Sequence, residues 1–238
     1  MNIIIPAAGA GSRFKQAFNI PKPYINVDNL PMVATAAKTL KIPDATYYYI
    51  LPAHEKLETT KNYLQSITPD CHFFDIDYVT EGAVQTALIA KDFINNDDEL
   101  IITNCDQIMN WDPMPIIESF KQFDAGLVTI NSDDAKHSYL ELTDNKVTKV
   151  VEKQVISDQA LTGVHYWKHG KFFVEAADEM INTNDKILNE YYVSNSYNYL
   201  IKHGRSVGYH QITSNEITFI GTVQDLYTYF DSSPWQSR

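Results

Sequence analysis

The stretch Asn2-Ile3-Ile4-Ile5-Pro6-Ala7-Ala8-Gly9-Ala10-Gly11-Ser12-Arg13 decides the fold class. Three consecutive isoleucines form an apolar β-branched run, too short for a helix and suited to a strand buried on both faces. Pro6 to Ser12 then breaks regularity with two glycines. Small residues there let the backbone approach a ligand closely, and successive N–H groups can form an anion nest.

Working outward, helix and strand patterns alternate. Helical spacing covers Val33, Ala36, Ala37 and Leu40, and Tyr47 to Leu51 reads as a second strand, its tyrosines suited to a sheet. Glu55 to Leu64 reads as a helix, His72 to Val79 as a third strand, Gly82 to Ile94 as a helix and Leu100 to Thr103 as a fourth strand. Four strand–helix alternations predict a Rossmann-like α/β fold, with a mixed, mostly parallel sheet flanked by helices. The second half changes character. It has a helix over Pro113 to Phe123, a strand over Ala125 to Ile130, and an antiparallel hairpin over 138–151 turning at Thr143-Asp144-Asn145. A strand over Leu161 to Trp167, helices from Phe172 and Val193, a strand over Val207 to Ile212 and a helix over Val223 to Phe230 complete it. The expectation is one domain over 1–231, with a first half to 112, a second half from 113 and a tail over 232–238.

Composition narrows the function. The 238 residues carry 19 Lys+Arg against 30 Asp+Glu, a net charge of −11, so a nucleic-acid surface is not expected. No apolar run is long enough to span a membrane, and no signal-peptide pattern opens the chain, which predicts a cytoplasmic location. Two cysteines, Cys71 and Cys105, with no CxxC, exclude a disulfide scaffold or a zinc cluster. The seven histidines show neither metal spacing nor a Ser/Asp partner pattern.

The few cations are therefore informative. The glycine loop lacks the third glycine of a dinucleotide fingerprint and the Gly-Lys-Ser/Thr of a Walker A loop. Arg13 closes it instead, and Pro21-Lys22-Pro23 follows, its prolines restricting the backbone around the lysine. Two cations over a neutral loop suit a nucleoside triphosphate, although a tight turn and a rigid surface loop are the plainer readings. The fourth strand ends in Thr103-Asn104-Cys105-Asp106-Gln107, where open α/β sheets bind ligands. Asp106 there reads as a Mg²⁺ ligand or, more plainly, as a turn cap.

In order along the chain, Pro6–Arg13, Pro21-Lys22-Pro23, Thr80-Glu81-Gly82, Asn104–Gln107, Glu152-Lys153 and Ile220-Gly221-Thr222 resemble the sugar-phosphate nucleotidyltransferases, which have a GT-A-like fold. Similar small bacterial and phage members are linked to capsule or surface-glycan loci. The resemblance implies transfer of NMP from an NTP (CTP, UTP or dTTP) to a sugar 1-phosphate, with release of pyrophosphate and Mg²⁺ as cofactor. It gives the nucleotide to Ala8, Gly9, Ala10, Gly11, Ser12, Arg13, Gly82, Gln85 and Asn104, with Gln85 reading the base. Arg13, Lys22 and Asp106 take the catalytic roles, and Asp106 also binds the metal. Glu152, Lys153, Thr162 and Gly163 line the acceptor site, Glu152 meeting hydroxyls and Lys153 the phosphate. A homo-oligomer is compatible with it.

The chain departs from the pattern in three places. Phe219 stands where many relatives have a second metal-binding Asp, with only Glu216 and Asp225 as carboxylates nearby. Ser138 replaces a hairpin glycine that contacts the sugar, and Gln154 follows Lys153 where proline is usual. These departures keep open cytidylyl transfer to a non-sugar phosphate, phosphocholine-like or phospho-amide. They also leave a GT-A glycosyltransferase, although Asn104-Cys105-Asp106 lacks its first carboxylate, and a non-catalytic nucleotide sensor.

Overall fold

β1 (Asn2–Pro6) holds the centre of the main sheet, and Ile3, Ile4 and Ile5 are all fully buried in the computed structural model. The structure describes residues 1–232, with Ser12 and Arg13 described by their backbone alone. The isoleucines alternate across the sheet, as a period of two requires. Ile4 joins a core with Ile50, Leu100, Trp167 and Phe173, while Ile3 and Ile5 join one with Tyr49, Leu51 and Ile101. Layers on both faces are thus written into three consecutive residues.

β2 (Thr46–Pro52), β3 (Cys71–Ile76) and β4 (Leu100–Thr103) complete the parallel half, β2 and β4 flanking β1 and β3 beyond β2. The second half adds β5 (Ala125–Asn131), the hairpin β6 (Tyr139–Thr143) and β7 (Lys146–Val151), β8 (Gln159–Trp167), and β9 (Val207–Gln211). β8 runs antiparallel to β4, β5 and β6, and β9 pairs parallel to β5. The mixed α/β architecture with its antiparallel hairpin matches the sequence reading.

Three local differences matter. The glycine loop leads into an unanticipated helix, α1 (Ser12–Phe18). β3 ends at Ile76, three residues short of the reading, and leaves 77–82 to form a loop. The helix expected over 82–94 is broken into Ala83–Ala87, a 3₁₀ turn over Leu88–Ala90, and Lys91–Ile94. Its apolar face is still buried through Val84, Ala87, Ala90 and Ile94, so the 3.6-residue pattern reported packing rather than continuity. Ser232, expected in the tail, ends the last helix (Val223–Ser232), and 233–238 lie outside the described residues.

A short ribbon outside the main sheet was not foreseen. Gln107–Met109 pairs antiparallel with Ile217–Phe219, and Ile220 N donates to Asp106 O at 3.0 Å. It draws the end of β4 and the residues before the last helix to one place.

Candidate functional site

Ala7 and Ala8 leave β1 buried, and Gly9 and Ala10 emerge exposed. Gly11 precedes α1 at φ +51°, a left-handed conformation that glycine adopts without steric cost. A Cβ there would lie 3.5 Å from the Lys22 Cβ, so loop and lysine are in contact. Lys22 itself begins a 3₁₀ turn (Lys22–Tyr24) behind an extended Pro21. Buried Pro23 and Tyr24 anchor that turn: the Tyr24 hydroxyl donates to Pro52 O, and its ring stacks on His54 at 5.2 Å.

From this anchor the Lys22 Nζ forms an ion pair with Asp106 Oδ2 and donates to Gly221 O at 3.0 Å, and it lies 5.0 Å from the centre of the Phe14 ring. Each partner of the ion pair keeps 19% side-chain exposure, enough to reach a ligand. Gly221 carries no side chain for a visible reason: a Cβ would sit 2.9 Å from Asp106 Oδ2. Burial alone would lower the Lys22 pKa. The Asp106 carboxylate beside it, with smaller help from Asp225, raises it above the ordinary 10.5, so the ammonium stays charged. Burial pushes the neighbouring Cys105 thiol up to about 12, which keeps it neutral and a poor nucleophile.

Two clefts meet at Lys22. The first, about 560 Å³, is lined by Gly9, Ala10, Gly11, Thr80, Gly82 and Thr86 among others. The second, about 700 Å³, is lined by Asn104, Asp106, Glu152, Lys153, Thr162 and Gly163 among others. Lys22, Ala83, Leu188, Glu190 and Gly221 border both. The walls are tightly fitted. Gly82, at φ +130°, would place a Cβ 2.5 Å from Tyr191 N, and Gly163, at φ +88°, would place one 2.2 Å from Asn104 Nδ2. Gly163 sits where the pairing of β8 with β5 shifts register between Leu161 and His165, so the strand bends over the end of β4.

Some expected residues fall elsewhere. Ala8 is 2% exposed and packs in the core below the loop. Gln85 is not among the residues lining either cleft: its Oε1 accepts from Glu81 N at 2.8 Å and its Nε2 donates to Glu81 Oε2 at 3.1 Å. Thr80 and Thr86, whose hydroxyls meet at 2.6 Å, face the first cleft instead. The side chains of Ser12 and Arg13 lie outside what is described.

In the second cleft the Glu152 Oε2 accepts from the Ser138 and Ser194 hydroxyls, the latter at 2.7 Å. The Lys153 Nζ donates to the Tyr192 hydroxyl, from a backbone in the left-handed region at φ +53°. Asp225 also lines this cleft. Its Oδ2 accepts from Thr222 N at 3.1 Å, capping the last helix, and its Oδ1 faces Lys136 Nζ at 3.4 Å. Glu216 instead closes a capping box with Thr213 and is absent from the cleft walls. Phe219 packs against His137 at 4.8 Å between ring centres. Sequence reading missed Lys136 and Ser194, whose residue types and spacing carry no signature, while Asp225, named there as a carboxylate near Phe219, does line the second cleft.

The sequence matches no family model and no curated protein. Solved structures do match. The nucleoside-diphosphate-sugar pyrophosphorylase of Vibrio cholerae RC9 superimposes with a TM-score of 0.85 at 20% identity, covering 98% of this chain and 100% of that one. The chain has the nucleotidyltransferase fold. A putative glucose-1-phosphate thymidylyltransferase from Bacillus anthracis, solved with sucrose, matches at TM-score 0.76 and 21% identity, covering 95% and 92%. The inositol-1-phosphate CTP transferase of T. maritima matches at 0.71 and 14%, covering 94% and 90%.

Within this nucleotidyltransferase fold, the donor chemistry of the site can be tested against Mg²⁺. Among the described residues no three His, Cys, Asp or Glu side chains gather as a ready-made cage. Mg²⁺ needs only one or two carboxylates when phosphate oxygens and waters complete its shell. Asp106, on the wall of the second cleft with the side-chain-free Gly221 beside its carboxylate, fits that requirement.

Proposed function

We propose that this protein is a nucleotidyltransferase that transfers NMP from CTP, UTP or dTTP to a sugar 1-phosphate or similar phosphorylated acceptor, releasing pyrophosphate. The observation that carries the reading is the pair of adjoining clefts that share Lys22 and Gly221. A reaction between two phosphates needs two pockets with one cation at their junction. The thymidylyl and cytidylyl transfers named for two of the structural neighbours support a pyrimidine nucleotide. An NDP-sugar product serves surface-glycan or capsule synthesis, and the absence of any helix long and apolar enough to cross a membrane among the described residues is compatible with a cytoplasmic setting. Residues 1–112 supply most of the nucleotide cleft and 113–231 most of the acceptor cleft, with Leu188, Glu190 and Gly221 lending walls to the first and Lys22, Asn104 and Asp106 to the second.

In this reading the triphosphate lies along Gly9–Arg13, where backbone N–H groups and Arg13 receive its charge. The acceptor phosphate lies between Lys153 and Lys22, and its oxygen attacks the α-phosphorus in line with departing pyrophosphate. The nucleophile is already an anion, so no strong base is required. The work is to hold two polyanions together and stabilise charge as it grows, which fixed cations do well in a water-poor site. Lys22 does so at the shared wall. Asp106 would hold Mg²⁺, which when bound adds positive charge beside the phosphoryl oxygens. Holding the reactants in line can itself contribute roughly 7–11 kcal/mol.

One observation favours the second reading, a non-sugar phosphate acceptor: Glu152 Oε2 already receives two serine hydroxyls and is less available to sugar hydroxyls. The test is a matrix of CTP, UTP and dTTP against hexose 1-phosphates, polyol phosphates and phosphocholine, read as pyrophosphate release that needs both substrates. Release with no NTP–acceptor combination contradicts the proposal.

A further inference from the structure

A tight turn beside the clefts carries a leucine where the backbone disfavours one. Ile187 N donates to Glu190 O and Glu190 N to Ile187 O, both at 3.0 Å, which leaves Leu188 and Asn189 as a two-residue turn at φ +51° and +66°. Such turns favour glycine, asparagine or aspartate, and Asn189 conforms. Leu188 does not: in the left-handed region its Cβ crowds the following carbonyl oxygen. The side chain is also 67% exposed and belongs to none of the buried apolar clusters. Neither the turn nor the core accounts for a leucine here. Strained residues persist where the surroundings hold them, and they gather at ligand sites. The surroundings do hold this one. Tyr191 N donates to Glu81 O at 2.8 Å, Val84 N donates to Tyr191 O at 3.2 Å, and Lys186 Nζ pairs with Glu81 Oε1 at 2.7 Å. The base of the turn is thus tied to the loop that walls the first cleft, and Leu188 borders both clefts, as Lys22 and Gly221 do.

We propose that Leu188 is a fixed apolar finger that closes the junction of the two clefts against water once both substrates are in place; this rests on the transferase reading above. A leucine side chain neither donates nor accepts a hydrogen bond, so it does not hold phosphate. What it offers is carbon surface, which packs on the C–H faces of the bound molecules and displaces water from between them. Water is the acceptor's competitor in this reaction. Its oxygen can bond the α-phosphorus while the bond to the bridging oxygen of the departing pyrophosphate breaks, its proton passing to solvent, and the products are then free NMP and pyrophosphate. Excluding water from a closed site suppresses such side reactions. A finger that bordered only one cleft could cover one reactant. Leu188 borders both, at the place where the two phosphates must meet. Its strained backbone keeps the side chain projecting without any ligand, so no rearrangement is needed to close the gap.

The experiment compares wild type with Leu188→Asn, Leu188→Gly and Leu188→Met, using the most active pair from the matrix at saturating acceptor with Mg²⁺. Anion-exchange chromatography resolves free NMP, the product of water attack, from the transfer product, and thermal melts are run on the same samples. Leu188→Asn and Leu188→Gly are expected to raise the ratio of free NMP to transfer product on the order of 10-fold, as the apolar contact is lost. Leu188→Met keeps the apolar bulk and is expected to hold the ratio near the wild-type value. The melts are expected to move the other way: asparagine and glycine relieve the left-handed strain and raise Tm by about 1–3 °C. A variant that is more stable yet leaks to water shows that the leucine serves the reaction and not the fold. A merely structural role would lower Tm and reduce both products together, with their ratio intact. An unchanged ratio in Leu188→Asn and Leu188→Gly, or a ratio that rises equally in Leu188→Met, would overturn the proposal. A wild-type protein inactive with every pair would instead overturn the transferase reading on which it rests.

Discussion

Lys22 and Asp106, 84 positions apart in sequence, form an ion pair at the wall between two clefts, with Gly221 completing it through its carbonyl. Three separate segments, the Pro-Lys-Pro turn, the end of β4 and the loop before the last helix, converge on one ammonium. Removing either charged partner strands the other. Lys22→Ala and Asp106→Ala are each expected to lower turnover on the order of 10²-fold or more, the usual effect of losing one charge-stabilising group. Steady-state pyrophosphate release, with circular dichroism to verify folding, checks this. Full activity in either folded variant would remove the residue from the mechanism.

The same ion pair predicts how the rate depends on pH. Lys22 has its pKa raised above 10.5 by Asp106 despite burial, so its contribution is complete below 10.5 and is lost only as pH rises through the higher folded value. A kcat profile between pH 6 and 9 is expected to show no inflection that Lys22→Arg shifts. An inflection in that window that does move with Lys22→Arg would mean the lysine titrates there.

His165 gives a separate pH signature in stability. Burial pushes its pKa from 6.5 down to about 3. Between those values the unfolded chain binds a proton that the folded chain does not. The contribution is therefore complete above 6.5 and is lost as pH falls toward 3, at about 1.4 kcal/mol per pH unit. Urea unfolding of wild type and His165→Phe between pH 7.5 and 5 is expected to show a shallower fall in the variant. Parallel curves would mean that the imidazole is protonated within the folded protein.

Two glycines distinguish fold from site. Gly82→Ala forces a Cβ to within 2.5 Å of the Tyr191 backbone at φ +130° and is expected to cost on the order of 1–3 kcal/mol in stability. Gly221→Ala needs no unusual backbone, but its Cβ meets Asp106 Oδ2 at 2.9 Å. It is expected to lower turnover several-fold with little change in Tm. Thermal melts paired with pyrophosphate release separate the two, and equal Tm losses would contradict the assignment.

How much of this was legible depended on whether a residue's role was local. The burial of β1 and its alternation across the sheet follow from three isoleucines, and the hairpin from its Thr143-Asp144-Asn145 turn. The meeting of Lys22 with Asp106 was implied by strand-end geometry together with a family resemblance. The ribbon between Gln107–Met109 and Ile217–Phe219 was not, because three-residue strands carry no period. Gln85 has helical spacing from Gly82, yet the break at Leu88–Ala90 and the bonds to Glu81 accompany a placement off the cleft. His165 was one of seven histidines without a pattern, since only the packed structure reveals that its Nδ1 is buried with no partner among the described residues.

The central claim is that the phosphates of both substrates meet at Lys22. The most direct measurement is a crystal structure with Mg²⁺ and a non-hydrolysable NTP analogue. The account predicts the triphosphate along Gly9–Gly11, with its α-phosphate within hydrogen-bond reach of Lys22 Nζ and Asp106 on the metal. Phosphates bound outside these clefts, or an Asp106 that touches neither metal nor Lys22 in that complex, would contradict it.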